Sequence, residues 1–111
     1  MLSSSQRLAT KQLEEVLKKG KVTHSSFFWL KFTKNNSSTR ISVIVPQKIV
    51  KSAVMRNNLR RKVYNSISLF INKIKQGHHI IVCIKDSVIK AETLQIQEKT
   101  KEIFVATGLL E

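Results

Sequence analysis

The chain's most constraining feature is a helical stripe of apolar residues in its second half. The stripe consists of Leu59, Val63, Ile67, Phe70 and Ile74. Intervals of three and four residues place these side chains on one side of a helix. The spacing predicts a long helix from Val54 to about Gln76, closed by Gly77. Such a helix must bury its stripe against another layer of structure. The hydrophobic content of 41% is ordinary for a globular protein, so disorder is a poor description of the chain.

The same segment carries a cluster of basic residues away from the stripe. Within seven residues the cluster comprises Arg56, Arg60, Arg61 and Lys62, with Asn57 and Asn58 between them. At about 100° per residue, Asn57, Arg60, Arg61 and Tyr64 lie along one flank of the helix, and Asn58 and Lys62 point the other way. Arginine suits bidentate phosphate contact, and no carboxylate three or four residues away compensates the cluster. Lys48 and Lys51 would extend the surface. The alternative is a merely solvated charged face.

Charge is distributed unevenly along the 111 residues. The net charge is +13, from 20 Lys and Arg against 7 Asp and Glu. Residues 1–75 hold 16 basic and 2 acidic side chains, whereas residues 76–111 hold 4 and 5. A field of one sign costs stability through self-repulsion, so a polyanionic partner is expected. Nucleic acid is the leading candidate and an anionic membrane surface the weaker one, because the basic run lies inside an apparent folded domain.

The remaining pattern predicts one α+β domain over residues 1–111, with the order α-β-β-β-α-β-α. The predicted elements are a helix over 10–19 with Thr10 as N-cap and Gly20 as stop, strands over 21–25, 27–33, 39–45 and 80–84, and a helix over 92–106. Alternation in the second strand puts Phe28, Leu30 and Phe32 on one face, most simply as core, and Phe27, Trp29 and Lys31 on the other. Trp29 is either covered core or, beside Lys31, a platform for single-stranded nucleic acid.

The sequence offers no set of residues for protein-based catalysis or for metal binding. Asp86 is the sole Asp, and the late glutamates do not converge on one metal. His78 and His79 follow Gly77 and are predicted to lie in a loop, solvated or contacting phosphate. The single cysteine, Cys83, is predicted to be buried. The N-terminus lacks the apolar core of a signal peptide, and no apolar run approaches a membrane span, so a cytoplasmic location is expected.

Residues 45–67 resemble the signature of the protein subunit of bacterial ribonuclease P. The matching positions are Lys48, Lys51, Ala53, Val54, Arg56, Asn57, Leu59, Arg60 and Arg61. An Arg-Leu pair at Arg7 and Leu8, and the order of the elements, extend the resemblance over nearly the whole chain. Asn58, Gln47 and Tyr64 depart from the family pattern.

The resemblance implies a ribosomal protein S5 domain 2-like sandwich, in which a mixed four-stranded sheet has an unusual left-handed crossover. It implies a subunit of an endoribonuclease whose RNA performs catalysis, with precursor tRNA as substrate and Mg²⁺ held mainly by RNA. By position, it assigns RNA-subunit binding to Lys48, Lys51, Arg56, Asn57, Arg60, Arg61 and Lys62. It assigns a cleft for the 5′ leader to Leu13, Leu17, Trp29 and Lys31. No catalytic residue, membrane or small-molecule substrate is implied. A plain RNA-binding module is the alternative, and a groove-reading DNA-binding protein is a weaker one.

Overall fold

The computed structural model describes residues 7–35 and 37–110, which form four strands and three α-helices. The elements are α1 (Thr10–Lys19), β1 (Lys21–His24), β2 (Phe28–Lys34), β3 (Arg40–Ile44), α2 (Ala53–Ser68), β4 (His78–Ile84) and α3 (Thr93–Ala106). The sheet order is β1-β2-β4-β3, with β3 parallel to β4 and the other neighbours antiparallel. The predicted α+β order and mixed four-stranded sheet are therefore confirmed. The hand of the β3-α2-β4 crossover and the extent of the domain over 1–111 stay predictions.

One face of the sheet packs under α2 and α3 to form the hydrophobic core. Alternate strand residues supply the sheet side of this core: Phe28, Leu30, Ile41, Val43, Ile80, Val82 and Ile84. The helical side comes from the predicted stripe, in α2 and the segment after it, and from Ile96, Ile103 and Phe104 of α3. Each of the five stripe residues is buried. The free cysteine, Cys83, is also buried, as predicted, although it lies outside this core. The core fixes α2 beside the sheet and so determines which side of α2 faces solvent.

The α2 helix is shorter than the predicted span. It ends at Ser68, and a single 3₁₀ turn follows at Ile71–Lys73. Beyond that turn the chain is extended, and the N–H of Lys75 donates to the carbonyl of Leu109 at 2.9 Å. Phe70 and Ile74 stay buried through this irregular segment, so apolar spacing alone could not reveal the helix end.

Three local predictions are wrong. The N-cap of α1 is Ala9 rather than Thr10. Gly77 does not end α2 but lies at φ +80° in the turn before β4, a conformation that favours glycine. His78 and His79 are not in a loop, because they are the first residues of β4, both are buried, and they pair with Lys34 and Arg40 respectively.

Candidate RNA interface

The entry to α2 is held in place by two side chains from its own first turn and N-cap. The N–H of Met55 donates to Oγ of Ser52 at 3.3 Å. Nη1 of Arg56 donates to the carbonyls of Val50 (2.9 Å) and Lys51 (2.8 Å). These bonds fix the loop after β3 to the helix, so Arg56 contributes to positioning as well as to charge. Lys51 and Lys48 in that loop are exposed.

Arg60 and Arg61 form the solvent-facing part of the predicted flank. Nη1 of Arg60 donates to Oδ1 of Asn57 at 2.7 Å, which orients one edge of the guanidinium and leaves its other N–H groups available. Arg61 is exposed, and Lys62 is exposed on another side of the helix. Within the described residues the ion pairs are Lys19–Glu15 and Lys99–Glu102, so the cluster has no carboxylate partner there. This uncompensated charge favours a polyanion as ligand.

Tyr64 does not belong to the exposed flank on which it was predicted. Its side chain is buried, and its hydroxyl oxygen accepts the N–H of Val43 at 3.0 Å. Because β3 is an edge strand, that N–H would otherwise lack a partner in the sheet. The Tyr64 ring also supports Arg7, whose guanidinium carbon lies 5.2 Å from the ring centroid. Arg7 therefore adds a cation near the flank. In the sequence, Arg7 stood out only as part of the Arg-Leu pair that extends the family resemblance.

The predicted cleft lies on the other face of the sheet, where α1 packs. Val16 of α1 is buried there, and Leu17 on the same helix is exposed at 40% of its surface. Nζ of Lys31 donates to the carbonyl of Leu17 at 3.0 Å and lies 5.9 Å from the centroid of the Trp29 ring. The structure thus brings three of the predicted cleft residues together. The fourth, Leu13, is half-buried one turn earlier in α1.

Trp29 is half-buried, between the two alternatives that the sequence left open. It pairs with Cys83 across β2 and β4 and shares its face with Lys31. The exposed part of the ring, beside an ammonium group, is a surface on which a base can stack.

Two further charged or polar side chains lie on this face: Arg40, which the sequence analysis did not single out, and His79, which it placed in a loop. Arg40 and His79 are paired residues of β3 and β4. Burial lowers the pKa of His79, the nearby Arg40 guanidinium lowers it further, and Glu15 raises it. Arg40 is half-buried at the start of β3, where alternation with Ser42 and Ile44 was the available signal. No helix in the described part of the chain is long and apolar enough to cross a membrane.

Comparison with known proteins identifies this architecture. Residues 2–108 match the Ribonuclease P family. A ribonuclease P protein component from Pseudanabaena is 26% identical over 113 residues, covering 99% of this chain and 97% of the relative. The corresponding protein of Symbiobacterium thermophilum is 27% identical over 73 residues, covering 66% of this chain and 63% of the relative.

Solved structures give the same answer for the fold. The ribonuclease P protein of Staphylococcus aureus superposes with a TM-score of 0.85 at 21% identity, covering 96% of this chain and 98% of that one. The protein from Thermotoga maritima gives 0.78 at 23% identity, with coverages of 87% and 93%. The chain therefore belongs to the ribonuclease P protein family, the protein component of an endoribonuclease that acts with an RNA subunit in the 5′ processing of tRNA.

Proposed function

We propose that the basic surface of α2 and of the loop before it binds the catalytic RNA subunit. The residues assigned to this contact are Lys48, Lys51, Arg56, Asn57, Arg60, Arg61 and Lys62. The observation that carries the assignment is the pair Arg60 and Arg61, which stands on a helix fixed by the core and has no carboxylate within bonding distance in the described residues. A fixed row of guanidinium groups can form bidentate contacts with phosphates at a low entropic cost.

The face under α1 is proposed to hold the single-stranded 5′ leader of precursor tRNA. Leu13 and Leu17 form one wall, and Trp29 and Lys31 form the floor. The Lys31 ammonium is already held by the Leu17 carbonyl, which leaves it further N–H groups to donate to a phosphate. Trp29 supplies a ring for one base, and this combination suits single strands with little sequence preference.

The Mg²⁺ that supports cleavage is proposed to be held mainly by the RNA subunit and the substrate. Among the described residues there is no group of three or more His, Cys, Asp or Glu side chains that could hold a metal ion. The protein's share of the function is then binding and orientation. We further propose that the protein acts in the cytoplasm, with neither a membrane nor a small molecule as ligand.

The RNA contact is tested by comparing two double variants, one that removes two charges from the flank of α2 and one that removes two charges from the α3 region. Arg60→Ala with Arg61→Ala should weaken binding to the RNA subunit and reduce the slope of log K against log salt by about 2, because two phosphate contacts are lost. The matched control is Lys90→Ala with Lys99→Ala, which removes the same charge from the α3 region. An equal loss in both variants would show that only net charge matters and would contradict the assignment.

The leader contact is tested with precursor tRNA carrying 5′ leaders of increasing length and with mature tRNA. The assembled ribonucleoprotein should bind the leader-bearing substrates more tightly and cleave them at low Mg²⁺. Equal affinity for mature and precursor tRNA would contradict the leader contact and favour the alternative, a plain RNA-binding module of this fold. Since this measurement does not involve Arg60 or Arg61, the two assignments can fail separately.

A further inference from the structure

The solvent side of α3 presents a stripe of six residues, all of them exposed except Gln97, which is half-buried. At about 100° per residue, its members fall within an arc of ~140°, opposite the buried side formed by Ile96, Thr100, Ile103 and Phe104. The members of the stripe are Leu94, Gln97, Glu98, Lys101, Glu102 and Val105. Leu94 is 68% exposed and Val105 is 47% exposed, one near each end. The stripe is therefore apolar near its two ends and charged between them.

Charge is balanced on α3, in contrast to the rest of the molecule. The helix carries two glutamates and two lysines, whereas the chain as a whole carries +13. Lys99 pairs with Glu102 at 3.2 Å, but Glu98 and Lys101 take part in neither of the ion pairs found among the described residues. Two copies of this protein repel each other over most of their surfaces, and α3 is a place where they can approach.

When two copies of α3 are placed antiparallel, apolar residues of one stripe lie opposite apolar residues of the other, and acidic residues lie opposite basic ones. In an antiparallel pair of α3 helices related by a two-fold axis between Lys99 and Thr100, Leu94 faces Val105 of the partner subunit. In the same pairing Glu98 faces Lys101 of the partner subunit. A two-fold interface repeats each of these contacts, so the pair contains two apolar contacts and two ion pairs. This match follows from the sequence positions and the exposed face of the helix.

We propose that this protein self-associates through an isologous, antiparallel α3–α3 contact. The helix α2 meets α3 on its Ser66 side and meets β3 on the opposite side through Tyr64. The contact therefore leaves the flank of Arg60 and Arg61 free for RNA. Leu69, 70% exposed, borders the same concave surface as Gln97 and Lys101 and adds apolar area.

The dimer is weak. One helix face and its border bury less than the area of a standard protein interface, and a dissociation constant on the order of 0.1 mM is expected. The contact thus operates where copies are concentrated, as when two proteins are carried by neighbouring RNA molecules.

Charge reversal tests the proposal in sedimentation equilibrium of the RNA-free protein. Glu98→Lys and Lys101→Glu should each weaken the dimer by about tenfold or more, since each places like charges opposite one another twice. The double variant Glu98→Lys with Lys101→Glu should restore the wild-type dissociation constant. The control Lys90→Glu changes net charge as Lys101→Glu does but lies outside the stripe, so it should not weaken the dimer.

The two single variants change net charge in opposite directions, which separates the specific contact from general repulsion. If Glu98→Lys weakens association while Lys101→Glu strengthens it, only net charge is acting and the proposal is overturned. A monomer at every accessible concentration overturns it as well, and so does a double variant that fails to recover. Both substituted positions are exposed, so the core should stay intact. The helix content of each variant, measured by circular dichroism, should therefore equal that of the wild type.

Discussion

The two faces of the sheet are built from alternate residues of the same strands, and β4 is buried on both faces, but at Phe28–Lys31 of β2 only one face is buried. On the α2–α3 face, Phe28 and Leu30 are fully buried. On the α1 face, their neighbours Trp29 and Lys31 remain partly exposed, one as an aromatic platform and the other as a cation. Because successive side chains of a strand point to opposite faces, neighbouring residues of β2 can serve different purposes, one stability and the next binding. A substitution of Phe28 or Leu30 should change the free energy of unfolding, and a substitution of Trp29 or Lys31 should change the affinity for RNA.

The largest effect expected is on the α2–α3 face. Leu30→Ala should lower the free energy of unfolding by about 2–5 kcal/mol, because it leaves a cavity under two packed helices. Urea denaturation measures the loss. Val22→Ala, on the edge strand β1 and 46% exposed, is the control and should cost far less. If the two variants lose similar amounts of unfolding free energy, burial on the α2–α3 face does not determine the stability of the fold.

The neighbouring position should give the opposite result. Trp29→Leu keeps an apolar side chain over Cys83 but removes the ring, so leader-bearing tRNA should lose about 1–3 kcal/mol of binding free energy relative to mature tRNA. The free energy of unfolding should fall less than for Leu30→Ala. The measurement is the ratio of affinities for precursor and mature tRNA in the assembled ribonucleoprotein. An unchanged ratio together with a large loss of stability would make Trp29 a core residue and remove the distinction between the faces.

The edge of the sheet, where the two faces meet, depends on Tyr64. Tyr64→Phe removes the acceptor of the Val43 N–H and leaves a buried donor unpaired, at a cost of about 1–3 kcal/mol in unfolding free energy. The ring that supports Arg7 is kept, so affinity for the RNA subunit should not change. Loss of affinity without loss of stability would reverse this assignment and place the hydroxyl at the RNA.

Periodicity made most of this fold predictable, and it failed where backbone geometry and pairing partners matter. The alternation of β2 correctly identified Phe28 and Leu30 as buried, whereas Phe32, predicted to be core as well, is only half-buried against the core. The five stripe residues that begin at Leu59 are all buried, as predicted. The end of α2 could not be found, because Phe70 and Ile74 continue the apolar spacing through a 3₁₀ turn. Tyr64 was misplaced because the unpaired N–H of an edge strand is invisible in the sequence. The proximity of Lys31 to Leu17 arises from tertiary packing alone, and in the sequence only the resemblance implied it.

The smallest effect expected comes from His79, buried at the α1 side of the sheet. Burial and Arg40 lower its pKa in the folded protein below the usual 6.5, whereas the unfolded chain keeps the usual value. Below about pH 6.5 the unfolded state therefore binds more protons than the folded state, and stability falls as the pH falls. Urea midpoints at about pH 7.5 and about pH 5.5 should differ less for His79→Gln than for the wild type. His24→Gln, at an exposed position, should keep the wild-type difference. If His79→Gln keeps it too, the acid sensitivity does not arise from His79, and the α1 face contributes its charge to RNA binding without a pH-dependent cost to the fold.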